Sequence, residues 1–259
     1  MASISDYLEN ELLDHVLKVG SYSPPTIYIA LGTGATDSGI SGEPSGNGYA
    51  RVAHSSWNTA ASRAIDNNGS ITFPQATGTW GTMTNYAIYD ASTSGNCLAW
   101  GALNTSKSIV NGNTPSIADQ EIEVSFSAGA ISDYLANELL DHVFGNGVYS
   151  QPTNICLALC TAAPVDSDTG SSITEVSGNN YSRCTHNTWD TAAGGASENT
   201  GAATFATPSG SWGLVTHIAI CDATSAGNML WWGTATPNQT PDSGDTVQYA
   251  DGALDITLD

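Results

Sequence analysis

Ile4-Ser5-Asp6-Tyr7-Leu8-Glu9-Asn10-Glu11-Leu12-Leu13-Asp14-His15-Val16 returns, with one change, as Ile131-Ser132-Asp133-Tyr134-Leu135-Ala136-Asn137-Glu138-Leu139-Leu140-Asp141-His142-Val143. Each run reads as a short amphipathic helix. A serine stands at the N-cap position, and Asp6 and Glu9 place negative charge in the first turn, where the helix dipole favours it. Leu8, Leu12, Leu13 and Val16 form a wide apolar stripe. Gly20 and Pro24-Pro25 then stop the first helix, and Gly145 and Gly147 stop the second. The pattern predicts helices over 5–17 and 132–144. Their stripes can pack on the repeat's own sheet or dock on a neighbouring subunit. The candidate interface residues are therefore Tyr7, Leu8, Leu12 and Val16, with Tyr134, Leu135, Leu139 and Val143.

The likeness continues downstream. Tyr49 and Arg51 match Tyr181 and Arg183, and His54 and Trp57 match His186 and Trp189. Trp80-Gly81 matches Trp212-Gly213, Ile88 and Asp90 match Ile220 and Asp222, Gly95-Asn96 matches Gly227-Asn228, and Trp100-Gly101 matches Trp232-Gly233. The offset is 127 residues at the helix and 132 from Tyr49 onward, with the extra residues mainly in a loop at 164–177. Insertions belong in loops. A period this long lies far beyond the roughly 20–50 residues of solenoid repeats. The chain is read as two domains, 1–130 and 131–259, with no Pro-rich or Gly/Ser-rich linker between them. Aligning 126–130 with 249–253 predicts that the first copy lacks a final strand like 254–258, which would leave an open sheet edge.

Within one copy, strands are expected at 26–31, 49–57, 70–73, 83–89, 97–103 and 121–126. Short strands between Gly, Asn, Ser and Thr loops predict an all-β fold: two tandem antiparallel β-sandwiches, jelly-roll or immunoglobulin-like, each preceded by the helix. Twenty-seven glycines and only 12% charged residues suit that class, while seven Trp and ten Tyr argue against disorder.

Five basic residues against 25 acidic ones give a formal charge of −20. Such a chain cannot neutralise phosphates in number, so no nucleic-acid partner is expected, and an anionic membrane surface is disfavoured. The charge favours solubility and mutual repulsion of like surfaces. Met1 leads directly into polar sequence, so no secretory leader is expected, and no apolar run could span a bilayer.

Candidate chemistry is sparse. Cys97, Cys156, Cys160, Cys184 and Cys221 do not match across the copies, as a fold-defining disulfide or zinc site would require. They read as buried free thiols of a protein folded in a reducing cytoplasm. His15, His54, His142 and His186 recur without a nucleophile motif beside them, which points to structural histidines. Asp166-Ser167-Asp168 lacks a calcium-loop pattern, and no carboxylate pair stands out for glycoside hydrolysis. No catalytic, cofactor or metal residues are assigned, and no cofactor is expected. Trp231-Trp232 is the exception of interest. Adjacent strand residues face opposite sides, so one ring could be an exposed platform for a sugar. The alternative is that both rings are core.

Taken together, the Ile-Ser-Asp-Tyr-Leu helix, the Tyr-x-Arg strand, the Trp-Gly turn before Ile-x-Asp, Gly-Asn before Trp-Gly, and the closing Gly-Ala-Leu-x-Ile-Thr-Leu-Asp resemble a family of small tailed-bacteriophage virion proteins labelled tail fibre proteins. Its ordinary member is similar to one copy of this repeat. The resemblance covers nearly the whole chain twice, departing in the tandem fusion and in the final strand of copy one. It implies a non-enzymatic structural protein of the virion, folded in the host bacterial cytoplasm. The first role implied is a tail fibre or tail-associated subunit. The others are a capsid decoration (cement) protein and a carbohydrate-binding module. The partners implied are other virion proteins, tail or major capsid, and, for the carbohydrate-binding role, a host surface glycan. Two similar domains on one rigid chain suit a six-fold platform as a homotrimer, and closed cyclic assemblies are the common solution.

Overall fold

The computed structural model describes residues 2–258. Repeat one contains β1 (Ser3–Ile4), α1 (Asp6–Val16), β2 (Tyr28–Gly32), β3 (Gly34–Thr36), β4 (Gly39–Ser41), β5 (Val52–Ala53), β6 (Ala64–Asp66), β7 (Ile71–Thr72), β8 (Gly81–Tyr89), β9 (Cys97–Ile109), β10 (Ser116–Ile117) and β11 (Glu123–Ser125). Repeat two contains α2 (Asp133–Phe144), β12 (Cys156–Cys160), β13 (Cys184–Thr185), β14 (Ala196–Glu198), β15 (Ala203–Thr204), β16 (Val215–Cys221), β17 (Met229–Gln239), β18 (Gln248–Tyr249) and β19 (Asp255–Thr257). The fold is all-β with one short helix per repeat.

The main sheet of repeat one runs β1-β9-β8-β2-β5, and that of repeat two runs β13-β12-β16-β17. The same backbone register recurs: Tyr86 stands opposite Gly101 and Ile218 opposite Gly233. Small two-stranded ladders complete each repeat, β10-β7 and β11-β6 in the first, β15-β18 and β14-β19 in the second. The extra residues of repeat two fall in the loop after β12, where repeat one instead forms the β3-β4 hairpin.

One expectation is corrected here. Repeat one does not lack its last strand. β11 pairs with β6, Glu123 opposite Asp66, as β19 pairs with β14, Asp255 opposite Glu198. The true counterparts of Leu254, Ile256 and Leu258 are Ile122, Val124 and Phe126, all buried. The sequence alignment slipped because Ala128-Gly129-Ala130 imitates Asp251-Gly252-Ala253 in composition, whereas the apolar alternation ends at Phe126. No open edge results.

A buried asparagine fixes this last strand in each repeat. Asn67 Oδ1 accepts from the Ile122 N–H at 2.8 Å, and its amide nitrogen donates to the Gly69 and Ala118 carbonyls. Asn199 does the same with Leu254, Gly201 and Ala250. A buried amide survives only when its donors and acceptor are satisfied. Both are.

Although there are two repeats, the largest cluster of buried apolar side chains draws on both. The helices sit where they join it.

Candidate functional site: the seam between the repeats and the groove beside Trp231

Each helix is capped as its sequence demands. The Ser5 hydroxyl accepts from the Leu8 N–H and donates to the Cys97 carbonyl, and Ser132 repeats this with Leu135 and Met229. The cap therefore also pins the helix start to the main sheet. Leu8, Leu12 and Val16 are buried, as are Leu135, Leu139 and Val143, while Tyr7 and Tyr134 pack half-buried against the same core.

The polar flank of each helix binds the opposite repeat. The Ala192 N–H donates to Asp14 Oδ1 at 2.7 Å, and the Ala60 N–H donates to Asp141 Oδ1 at 2.8 Å. The Gly195 N–H donates to Asn10 Oδ1 at 3.0 Å, and the Arg63 N–H to Asn137 Oδ1 at 2.9 Å. His15 and His142 stack face to face, ring centroids 5.0 Å apart. His15 Nδ1 accepts from the Tyr22 N–H while its Nε2 lies 3.0 Å from the Tyr149 carbonyl; His142 makes the mirror pair with Tyr149 and Tyr22. In each ring Nδ1 thus serves as acceptor and Nε2 as donor. Reciprocal contacts of this kind, i to j and j to i, are those of an isologous two-fold interface. Here the pseudo-dyad lies inside one chain and passes between the two histidines. Trp57 adds an apolar contact across the seam, its ring 4.3 Å from that of Phe144.

The seam is not fully symmetric. Arg63, left-handed at φ 64°, reaches across to both Asp133 and Asp166. Its counterpart Gly195 has the same backbone and no side chain.

A second repeated constellation lies at the far end of each main sheet. The Arg183 guanidinium binds Glu175 and the carbonyls of Gly170, Ala223 and Ala226, while Tyr181 donates to the same carboxylate. Arg51 binds Glu43 and the carbonyls of Ala91 and Ser94, and stacks over Tyr89 at 3.5 Å. These arginines close loops. Every cited donor is spent on the protein itself.

Trp231 is buried, and Trp232 is half-buried with its indole N–H donating to Asp166 at 2.9 Å. Neither is the free-standing sugar platform considered from the sequence. Both line a groove of about 270 Å³ in repeat two. All five cysteines are buried and unpaired. Burial pushes the thiols of Cys97, Cys160 and Cys221 up to about 12, far from the thiolate that reactivity needs. Among the described residues, no group of three or more His, Cys, Asp or Glu could hold a metal ion, and no helix is long and apolar enough to cross a membrane.

Two helical-and-β repeats, welded by a reciprocal seam and ringed by arginine clasps, define a structural building block. The family is seen directly: the profile of the Gp80 family, described as podophage GP4 fiber I protein gp80, matches residues 3–125 and again 130–257. The chain belongs to this family and carries its unit twice, which makes it a phage fibre-type virion component. No curated protein matches it.

Proposed function

We propose that this chain is a non-enzymatic subunit of a podophage tail fibre, in which the tandem fusion supplies a covalent dimer of the family unit. The observation that carries this reading is the double family match, together with a seam that makes each repeat complete the other. The repeated Asn-x-x-x-Asp-His of the helix serves that seam, and the Tyr-x-Arg strand serves loop closure. Neither presents a nucleophile, an acid–base pair or a ligand set. The chain's partners are then other virion proteins, and its strongly acidic surface resists non-specific sticking.

The two surfaces first considered for a homotrimer, the helix stripes and an open edge in repeat one, are consumed within the chain. The pseudo-dyad also sets the repeats head to head, not head to tail. A homotrimer must therefore use other surfaces, and native mass measurement of the purified chain decides whether it forms. The location is tested by gold labelling or a density map of the particle. Label on the tail is the expected result. Label over the capsid faces would replace the fibre reading with capsid decoration.

A further inference from the structure

Repeat two holds a groove that repeat one has filled. In repeat one, β1 runs antiparallel to β9, with Ser3 opposite Trp100, and Ala2 bridges in parallel to Val124 of β11. The Ala2 N–H donates to the Glu123 carbonyl at 2.7 Å. The β1 segment thus stitches β9 to β11. Tyr86 fills the space beneath it. A Cβ placed on Gly101 would come within 2.9 Å of the Tyr86 hydroxyl and 3.3 Å of the Ala2 Cα, so nothing more fits there.

Repeat two begins the same stitch and abandons it. Ile131 bridges to Trp231, and the Trp232 N–H donates to the Ala130 carbonyl. One residue upstream the chain turns away: the Gly129 N–H goes to the Asp166 side chain, not to Asp255, the counterpart of Glu123. Ile218 stands where Tyr86 does, and so the ring is missing as well. A Cβ on Gly233 would meet nothing within 4 Å. The result is the cavity of about 270 Å³ walled by Ile218, Ile220, Trp231, Tyr249, Leu254 and Ile256. That is below the ~300 Å³ at which small-molecule sites begin, and suits one large side chain better than a free ligand. Beside it, β19 presents an edge with no strand of the described residues in the place of Ala2, a template for strand addition.

We propose that this groove is the acceptor for an extended segment of another virion polypeptide. The segment lies parallel to β19, donates a backbone N–H to the Asp255 carbonyl as Ala2 does to Glu123, and seats one bulky apolar side chain over Gly233 where repeat one places Tyr86. Asp255 on the rim and the chain's charge of −20 select a segment that is neutral or basic. The proposal rests on the assembly role above for the kind of partner, and on the two repeats alone for the site.

The test uses particles assembled in cells supplying the full chain with Thr234, exposed on the groove wall, replaced by p-benzoylphenylalanine. Irradiation is expected to join this position to one segment of a different virion protein, identified by mass spectrometry. Adding Ile218→Tyr, which restores the ring of repeat one, or Gly233→Leu, which plugs open space, should lower that crosslink about tenfold or more. The melting temperature of each purified variant should match or exceed that of the unplugged chain. Particles that contain the chain but yield crosslinks only within it, or none, overturn the groove proposal and leave the fibre reading intact. Undiminished crosslinking in both plugged variants also overturns it. Absence of the chain from purified particles overturns both readings together.

Discussion

Repeat one and repeat two agree at the seam and disagree at the groove, and the difference separates what the fold requires from what it tolerates. The Asn, Asp and His of each helix bind the other repeat, so a change in one breaks a contact whose mirror image remains. These residues are identical in the two copies. Around the groove Ile220, Trp232 and Gly233 keep the identities of Ile88, Trp100 and Gly101, but the residues that fill or open it differ: Ile218 replaces Tyr86, Trp231 replaces Ala99, and Gly129 stands in the place of Ala2. The cysteines diverge in the same way because each is a buried small apolar group, interchangeable with Val52, Tyr89 or Met229 once local packing adjusts. Internal duplication therefore works as a control experiment inside one molecule.

The largest expected effect tests whether the two helices are equivalent. Leu12 and Leu139 are both fully buried at matched positions. Leu12→Ala and Leu139→Ala should each destabilise the chain by about 2–5 kcal/mol through lost burial and the cavity left behind. Because one core spans both repeats, each should shift a single urea transition. Two separate transitions, one per repeat, would break the picture of a welded pair.

The arginine clasps should show graded asymmetry. Arg183 is more buried than Arg51, with side-chain exposures of 2% and 8%, and it holds one more carbonyl. Breaking a buried pair costs about 3–5 kcal/mol, but Glu175 and Glu43 retain 20% and 24% exposure, which places the loss at or below the lower end. Arg183→Ala should therefore cost about 3 kcal/mol, and Arg51→Ala measurably less. Denaturant midpoints of the two variants decide it. An equal or reversed order would mean that stacking on Tyr89 outweighs the extra hydrogen bond.

Much of this fold was legible in the sequence. Serine caps, the apolar stripe and the alternation at 121–126 have local physical causes, and all appear where their causes put them. The slip at the end of repeat one came from matching glycine-flanked composition in place of the alternation Ile122, Val124, Phe126. The seam was not legible. A stripe such as Leu8, Leu12 and Val16 says that something covers it, but no periodicity says whether the cover is the same repeat, the other repeat or another chain. The trace of it in the sequence is that Asn10 and Asp14 recur unchanged with the stripe, but a helix flank ordinarily carries such polar residues for solvent, so the recurrence does not name their partner. Asn67 and Asn199 were missed for a similar reason. Their shared Asn-x-Gly context, Asn67-Asn68-Gly69 and Asn199-Thr200-Gly201, is ordinary loop sequence, and only burial reveals the triple hydrogen bond.

A smaller effect tests the dyad itself. Asp14→Ala and Asp141→Ala each remove a charge-assisted bond to a loop N–H, worth about 1.5–3 kcal/mol at full burial and less in this half-exposed setting. We expect about 1 kcal/mol each and a double variant that equals their sum within a few tenths, since the two bonds share no partner. Strong non-additivity by chemical denaturation would show that the two ends of the seam open together.

The smallest effect is a pH dependence at the pseudo-dyad. Burial holds the His142 imidazole below the usual histidine range, the Tyr22 carbonyl pulls it partly back up, and His15 stacked against it pushes it down again. His54, half-buried in repeat one, is also lowered, by partial burial with an offset from the Ser56 backbone. In both cases the unfolded chain, with histidine near ~6.5, takes up protons at a higher pH than the folded chain does. Stability from these groups is therefore complete above about pH 6.5 and is lost as pH falls toward and through the lowered folded values. Relief of the acidic self-repulsion starts only near ~4, where carboxylates protonate, so it does not mask the trend within that window. The melting temperature should fall between pH 7.5 and 5.5. In His54→Gln, which removes a ring from the edge of Trp57 but leaves the stacked histidines in place, most of the fall should persist, because His142 still has His15 against its face. If His54→Gln abolishes the fall, His142 is not the pH-sensitive element, and its ring tolerates a proton on Nδ1, the nitrogen that faces the Tyr149 N–H.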